Sequence, residues 1–380
     1  MLAAALGVNL ERPAPALGVV GSKGKGTTVA YASAVLATTG LRVGTVFSPG
    51  LITNRDRLRV DGSVLAVDEW VALLERVDAA LRTLPAPVDG YLAPSGFFLI
   101  AGLAHFAQVG CDALVLEAGL GGRRDDLGRV ALTGLAMAEV FLEHTELLGD
   151  TIAQIADDKV GAARPGTQFV SHLAQSDEAE SVIARHCDAI GAERLHVDAT
   201  ARAPFAGIVD DGLGGLNAAH GLIAGSRLLS DIGHAIPTDE QMRSAAARVR
   251  YPGRLSRHEL DGRSIFIDSA ISREGFSNAL RHVERATGGP PDLTLVSMPR
   301  TKDLAGFRAL AAELRGRVVF VELDRVHLHY PERDEWPGEW ATLAELPALL
   351  RAAPTVLAIG TASFSAEVLR HCGVDTDRVF

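Results

Sequence analysis

The sequence predicts an α/β protein built as two parallel-sheet domains. Three observations carry that reading. Short apolar runs, the mark of strands buried on both faces, alternate with longer amphipathic stretches of helical period. The alternation lapses and then restarts on either side of a Tyr-Pro-Gly-Arg break at 251–254. The chain has 380 residues, more than a single hydrophobic core usually holds. The expected domains are 1–254 and a smaller 255–380.

In order along the chain, LGVVG at 17–21, RVGTVF at 42–47 and DALVLEAG at 112–119 read as buried strands. VDEWVALLERVDAALRTL at 67–84 repeats apolar residues at helical spacing. The middle reads as helical, with TIAQIADDKVGAA at 151–163 and GLNAAHGLIAGSRLLSDIG at 215–233. Beyond the break, SIFIDSA at 264–270, DLTLVSM at 292–298, RVVFVEL at 317–323 and TVLAIGTA at 355–362 are strands of the second domain. Strands alternating with helices imply a largely parallel sheet covered on both faces. There is no internal repeat and no low-complexity tract.

Composition narrows the class. Apolar residues make up 47% and charged residues 22%, an ordinary globular balance. The formal net charge of -10 argues against non-specific nucleic-acid binding, which needs a basic face. Cys111, Cys187 and Cys372 are far apart and form no CxxC, so neither a zinc ribbon nor a disulfide framework is expected. No apolar run reaches the roughly 18 residues of a membrane helix, and the first residues lack a basic n-region. A cytoplasmic protein with no membrane partner is the expectation.

The stretch GVVGSKGKGTTVA at 18–30 runs from strand through a glycine-rich loop into a helix. A phosphate loop needs that context: backbone N–H groups and a helix N-terminus face an anion, a lysine adds a point charge, and a hydroxyl reaches magnesium. The pattern GxxxxGK[ST] fails by one position, because Gly26 separates Lys25 from Thr27. A phosphate loop and a plain glycine-rich turn are both open on spacing alone.

The inserted glycine resembles the G-T-N-G-K-G-S/T loop of folylpolyglutamate synthases, a branch of the Mur ligase superfamily. The rest of the chain follows the same family in order. FSPGLITNRDRLRVDG at 47–62 resembles its T-S-P-H-L loop and the E-R-I-R-I-N-G segment after it. LVLEAGLGGRRDD at 114–126 is similar to V-L-E-V-G-L-G-G-R-x-D, the most specific match. LEHTELLGDTIAQIADDKVGAARPG at 142–166 is similar to the block running from D-H through E-K-A-G to R-P-G. LNAAHGLIA, YPGRL, TKDLAGF and IGTASFSAEVL follow the family's N-A-A helix, P-G-R linker, D-K-D and G-S segments.

The resemblance implies an N-terminal P-loop parallel-sheet ATPase domain and a C-terminal Rossmann-like α/β domain. It implies an ATP-dependent, ADP-forming ligase that joins a carboxylic acid to an amino acid or amine through an acyl phosphate. Lys25 would hold the β- and γ-phosphates. Gly21, Ser22, Gly24 and Gly26 would form the loop, and Thr27 would reach magnesium. Ser48, Glu117 and His144 match metal-ligand positions. Lys159 matches a lysine that the family carbamylates. Asn217 and Arg254 match positions near the nucleotide, and Asp268 one near its ribose. The resemblance also favours a monomer whose second domain closes over ATP about the Pro252-Gly253-Arg254 linker.

Taken singly, each residue has a blander reading. A glutamate at a strand end is usually a solvated edge residue. A histidine in a polar turn is usually structural, and a lysine on an amphipathic helix is usually solvated. Their joint occurrence in family order favours function. Four departures bear on the substrate. Only 20 residues precede the loop. Gly50 replaces a histidine, and Phe98 replaces an acid. The family's D-G-A-H-N-P becomes Asp268-Ser269-Ala270-Ile271-Ser272-Arg273, which removes a histidine beside the phosphates and is somewhat similar to the D-S-K-A-T-N of the D-glutamate-adding Mur ligase. Arg273 is the candidate replacement charge. The H-Q before the N-A-A helix is also absent, with Leu213-Gly214 in its place. The nucleotide machinery is thus expected to be retained and the acceptor pocket altered. A true folylpolyglutamate or dihydrofolate synthase, a catalytically silent ATP-binding homologue, and a P-loop NTPase or kinase are the alternatives.

Overall fold

The computed structural model describes residues 1–85, 92–209, 212–325 and 328–380. The chain divides into two compact units, Met1–Arg250 with Asp377–Phe380, and Tyr251–Thr376.

The first unit is built on a sheet of β1 (Ala16–Val20), β2 (Val43–Val46), β3 (Leu58–Val60), β4 (Ser63–Val64), β5 (Ala113–Glu117), β6 (Gly134–Met137), β7 (Phe169–Leu173) and β8 (Glu193–Val197). Their order is β4-β3-β2-β5-β1-β6-β7-β8. The pairs from β2 across to β8 are parallel, and the β2–β3 and β3–β4 pairs are antiparallel. Every residue of β1, β5 and β7 is buried, as strands covered on both faces must be. From β1 the chain runs to one side through β2, β3 and β4, returns to β5 beside β1, and then crosses to β6, β7 and β8 on the other side. The C-terminal end of β1 is therefore the switch point at which open α/β sheets bind ligands.

The helices of this unit are α1 (Leu2–Ala5), α2 (Lys25–Ala37), α3 (Val67–Arg82), α4 (Pro94–Val109), α5 (Thr145–Leu148), α6 (Ile152–Val160), α7 (Asp177–Ile190), α8 (Leu213–Asp231) and α9 (Asp239–Arg248). In α2, Val29, Ala30, Ala32, Ala34, Val35 and Leu36 are all buried. The reason is double cover: α2 packs on β1, β2 and β5 and also against α8. Small residues make that approach close. A Cβ on Gly221 would lie 2.3 Å from Thr28 O, and one on Gly225 would lie 2.5 Å from Val35 Cγ1.

Two sequence expectations differ from what is found. The middle is expected to be helical, through 151–163 and 215–233; α6 and α8 are there, but β7 and β8 lie between them, with β6 just before. These strands are hard to read in sequence. β6 is four residues long, β7 carries Ser171 and His172, and β8 sits at the sheet edge with only Val197 buried. Residues 377–380 were also expected in the second domain. Instead they return to the first unit, where Asp377 O accepts Val64 N–H and Val379 O accepts Arg250 N–H.

The second unit is a sheet of β9 (Ser256–Leu260), β10 (Arg263–Asp268), β11 (Leu293–Ser297), β12 (Arg317–Glu322), β13 (Glu339–Thr342) and β14 (Thr355–Gly360), in the order β13-β12-β11-β14-β10-β9. Only β9 is antiparallel to its neighbour. Its helices are α10 (Arg273–Thr287), α11 (Leu304–Glu313), α12 (Leu346–Leu349) and α13 (Ala362–His371). Phe266, Phe276, Phe307, Phe320 and Trp336 fill one face of the sheet. Among the described residues no helix is long and apolar enough to cross a membrane.

Candidate phosphate-binding and metal site

The glycine-rich loop leaves β1 at Gly21 and ends at Gly24, the N-cap of α2. Both glycines are required by geometry. Gly21 has φ +142°, and a Cβ there would lie 2.7 Å from Ala138 Cβ. Gly24 has φ +92°, and its Cβ would lie 2.2 Å from the Asn217 amide oxygen. The loop therefore sets the first N–H groups of α2 at the C-terminal edge of the sheet, where an anion is favoured. Asn217, on α8, is buried beneath Gly24 and accepts the Thr28 hydroxyl at its backbone oxygen, 3.2 Å away.

Two ammonium groups converge on one carbonyl. Lys25 Nζ donates to Gly21 O at 3.0 Å and Lys159 Nζ donates to the same oxygen at 3.1 Å. Lys159 is only 1% exposed and also donates to Glu143 Oε1 at 2.8 Å. Burial pushes the Lys159 ammonium below the ordinary lysine range, and Lys25 adds to that, against the pull of Glu143. Burial pushes Glu143 up, but Lys159 and Lys25 outweigh it and hold the carboxyl below its usual value. One carboxylate thus faces two cations at the mouth of the loop, which suits a polyanionic ligand.

The hydroxyls of the loop sort by position. Ser22 is buried; its hydroxyl donates to Phe141 O and accepts Phe141 N–H, so it ties the loop to the segment after β6. Thr28 is buried and bonded to Gly24 O and Asn217 O. Thr27 stands half-buried in the first turn of α2. Gly26 is buried in the same turn.

Glu117 ends β5 and is 6% exposed, so the reading of a solvated strand-end carboxylate fails. Its Oε2 accepts the Ser48 N–H at 2.8 Å, which joins two of the residues expected at a metal. Arg57 lies close enough that Glu117 raises its guanidinium pKa, although burial, the larger effect, leaves it lowered. The Arg57 guanidinium carbon is 5.1 Å from the Phe98 ring centroid. Phe98 in turn stacks on Trp70 at 5.8 Å and meets Phe97 edge-on at 4.9 Å. His144 has φ +47°, uncommon outside glycine, and caps α5 with Nδ1 3.6 Å from Glu146 Oε1.

The GLGGRR run, 119–124, lies on the last turn of α6. Arg123 N–H donates to Asp158 O at 2.7 Å, and Arg124 N–H to Asp158 Oδ1 at 3.3 Å. A Cβ on Gly122 would lie 2.3 Å from Lys159 O, so these glycines let the loop reach α6. Glu143, Arg57 and Asp158 were not singled out from the sequence. Two of them were signalled by adjacency, as Glu143 precedes His144 and Asp158 precedes Lys159.

In the second unit, Asp268 ends β10, is buried, and accepts Leu255 N–H at 2.8 Å. Arg254 lies over the Tyr251 ring, 5.8 Å from its centroid, and donates to Gly253 O. Ile271 packs against the apolar core. Arg273 is exposed and paired with Glu313 at 3.2 Å, an exposed pair of the kind that contributes about 0–1 kcal/mol.

No family model matches the chain. It is 28% identical over 290 residues to a dihydrofolate synthase/folylpolyglutamate synthase of Bacillus subtilis, covering 70% of this chain and 66% of that protein. It is 34% identical over 175 residues to a probable bifunctional folylpolyglutamate synthase/dihydropteroate synthase of Halobacterium salinarum, covering 45% of this chain and 21% of that one. The matches thus span less than two thirds of these relatives' own lengths. Among solved structures, the apo form of the L. casei folylpolyglutamate synthase superposes with a TM-score of 0.80 at 22% identity, over 97% of this chain and 92% of that one. The Mycobacterium tuberculosis folylpolyglutamate synthase complexed with ADP and AMPPCP gives 0.80 at 18% identity, over 98% and 95%.

Proposed function

We propose, for a chain that groups by fold and motif order with the folylpolyglutamate synthase branch of the Mur ligase superfamily, an ATP-dependent, ADP-forming ligation of a carboxylic acid to an amino acid or amine. The observation that carries the proposal is the meeting of Lys25 and Lys159 at Gly21 O, at the N-terminus of α2. A carboxylate oxygen of the acid takes the γ-phosphoryl group of ATP and ADP departs. The amine then attacks the carbonyl carbon, loses a proton and expels inorganic phosphate. Such a reaction needs positioning and charge neutralisation more than a covalent catalyst.

Within the first unit, the backbone of Gly21–Gly26 would hold the phosphates and Lys25 would turn from Gly21 O to the β- and γ-oxygens. Thr27, Ser48, Glu117 and His144 would hold magnesium. The fit rests on a buried Glu117 carboxylate already fixed by the Ser48 N–H, and on a donor set rich in oxygen. Magnesium, when bound, would neutralise phosphate charge. Lys159 is read as the ammonium partner of Glu143. A carbamate on Nζ would set a second anion beside Glu143, so carbamylation would require Glu143 to turn away or take up a proton. Arg254 and Asp268 are the second unit's proposed nucleotide contacts, with Arg273 as a releasable cation.

Two acceptors compete. A folate-type acid extended by L-glutamate is supported by the names of the relatives. A different small acid is supported by the Trp70–Phe98–Arg57 stack, where the family's acid is absent. The test is ADP release with ATP, magnesium and bicarbonate against a panel of acids. Dihydropteroate and tetrahydrofolate are included, each with and without L-glutamate, and mass spectrometry looks for the amide. Turnover that requires both acid and amine is the expected result. Glutamate-dependent turnover of a pterin selects the folate reading. ATP binding without acceptor-dependent ADP, over the whole panel, would instead indicate a silent homologue.

A further inference from the structure

We propose that His172, Glu180 and His196 form a site for a zinc-class divalent cation, separate from the phosphate loop and independent of the ligase reading. The three residues come from β7, α7 and β8. Strands β7 and β8 pair in parallel with His172 directly opposite His196. Side chains at paired positions point to the same face of a sheet, and the ring centroids are 5.3 Å apart. Glu180, in the first turn of α7, is 3.5 Å from His172, measured from Oε1 to Nδ1. One ligand atom from each residue falls within 4.8 Å of the other two.

The chemistry selects the ion. Tetrahedral zinc holds nitrogen and oxygen ligands at about 2.0–2.2 Å, so neighbouring ligand atoms lie roughly 3.3 Å apart. From His172 Nδ1 to Glu180 Oε1 the separation is already near that value, which makes Nδ1 the ligand nitrogen. His196 is exposed and can close the remaining gap by rotating its side chain. Two imidazoles and one carboxylate suit zinc, cobalt or nickel better than magnesium. Three protein ligands leave a fourth position for water.

His172 is 1% exposed, with Nδ1 also 3.0 Å from Leu173 O and, among the described residues, no hydrogen-bond partner for Nε2. Ligation through Nδ1 therefore exchanges the Leu173 O contact for the ion and leaves the ring proton on Nε2. Glu180 Oε1 also accepts Gln175 N–H at 3.2 Å, which holds the carboxylate toward the strands. Arg194 approaches Glu180 Oε2 only to 3.9 Å, too far for a hydrogen bond. A cation here would clip the edge strand β8, mostly exposed along its length, to the body of the sheet.

The test uses the full chain without an affinity tag, stripped by chelator. Cobalt is titrated and followed by its visible absorption, and zinc affinity is measured by competition with a chromophoric chelator. One equivalent should bind, excess magnesium should not displace it, and zinc should raise the melting temperature. His196→Ala, at an exposed position of the edge strand, and Glu180→Gln, which keeps an oxygen for Gln175 N–H, should each weaken zinc at least about tenfold and abolish the melting shift. Absence of a stoichiometric zinc equivalent, displacement by magnesium, or two variants that bind zinc as the parent does would each overturn the proposal.

Discussion

Lys159 and Glu143 show how much rests on single side chains. Alone, an ammonium that is 1% exposed would be strongly disfavoured; beside Glu143 Oε1 and Gly21 O it is held. Glu143→Gln removes the charge partner and should destabilise the first unit by about 3 kcal/mol at neutral pH, the low end for a broken buried pair, because Lys159 can shed its proton. The folded Glu143 pKa is lowered, so its stabilisation is full above the ordinary carboxylate pKa and is lost as pH falls through the depressed folded value. The gap between parent and variant in urea titrations should therefore be constant at neutral pH and close in acid; a gap that widened in acid would contradict the assignment. At the same mouth, Lys25→Ala should lower acceptor-dependent ADP formation on the order of 100-fold with little change in stability, since Lys25 is partly exposed and, among the described residues, donates to Gly21 O alone. Thr27→Val should impair turnover with the fold intact, whereas Thr28→Val should act first on stability, because Thr28 is the buried hydroxyl bonded to α8.

At the scale of elements, the site depends on how closely α8 presses on α2 and the loop. Gly24 and Gly40 separate backbone strain from close contact. Both have positive φ, but only at Gly24 would a Cβ meet a neighbour, Asn217 at 2.2 Å, while at Gly40 nothing lies within 4 Å. Gly40→Ala should cost about 1 kcal/mol, the left-handed penalty alone. Gly24→Ala should cost about 2–4 kcal/mol, because overpacking adds to it. Equal costs in denaturant unfolding would mean that Asn217 yields freely and does not fix the loop. The strand–loop–helix order around Gly21–Gly24 was legible from the residues, because apolar strands and glycine spacing are local signals. The strands β6, β7 and β8 were not, because a short or polar strand is set by its partner and not by its own sequence. The GLGG glycines were legible as a motif, but the reason for them, contact with the last turn of α6, is a tertiary fact.

At the scale of the whole molecule, residues 377–380 belong with the first unit. Val379 is buried, Phe380 covers Gly62, and Asp377 pairs with Arg55. Removing these four residues should destabilise the first unit by about 2–4 kcal/mol, chiefly through the lost burial of Val379 and three backbone hydrogen bonds. A calorimetric trace in which only the second unit's transition moved would refute this. By itself the sequence determined the α/β class, the strand, glycine-rich loop and helix of 18–30 and the break near 251–254, and it singled out Lys25, Glu117, His144, Lys159 and Asp268, because apolar periodicity, glycine spacing and motif order are written along the chain. Only the tertiary structure decided which charges meet, that Glu143 rather than solvent answers Lys159, that Ser48 holds Glu117 through its backbone, that Arg273 pairs with Glu313, and that His172 faces His196 across two strands. Those are distances between residues far apart in sequence or set by a turn's geometry, and no local pattern encodes them.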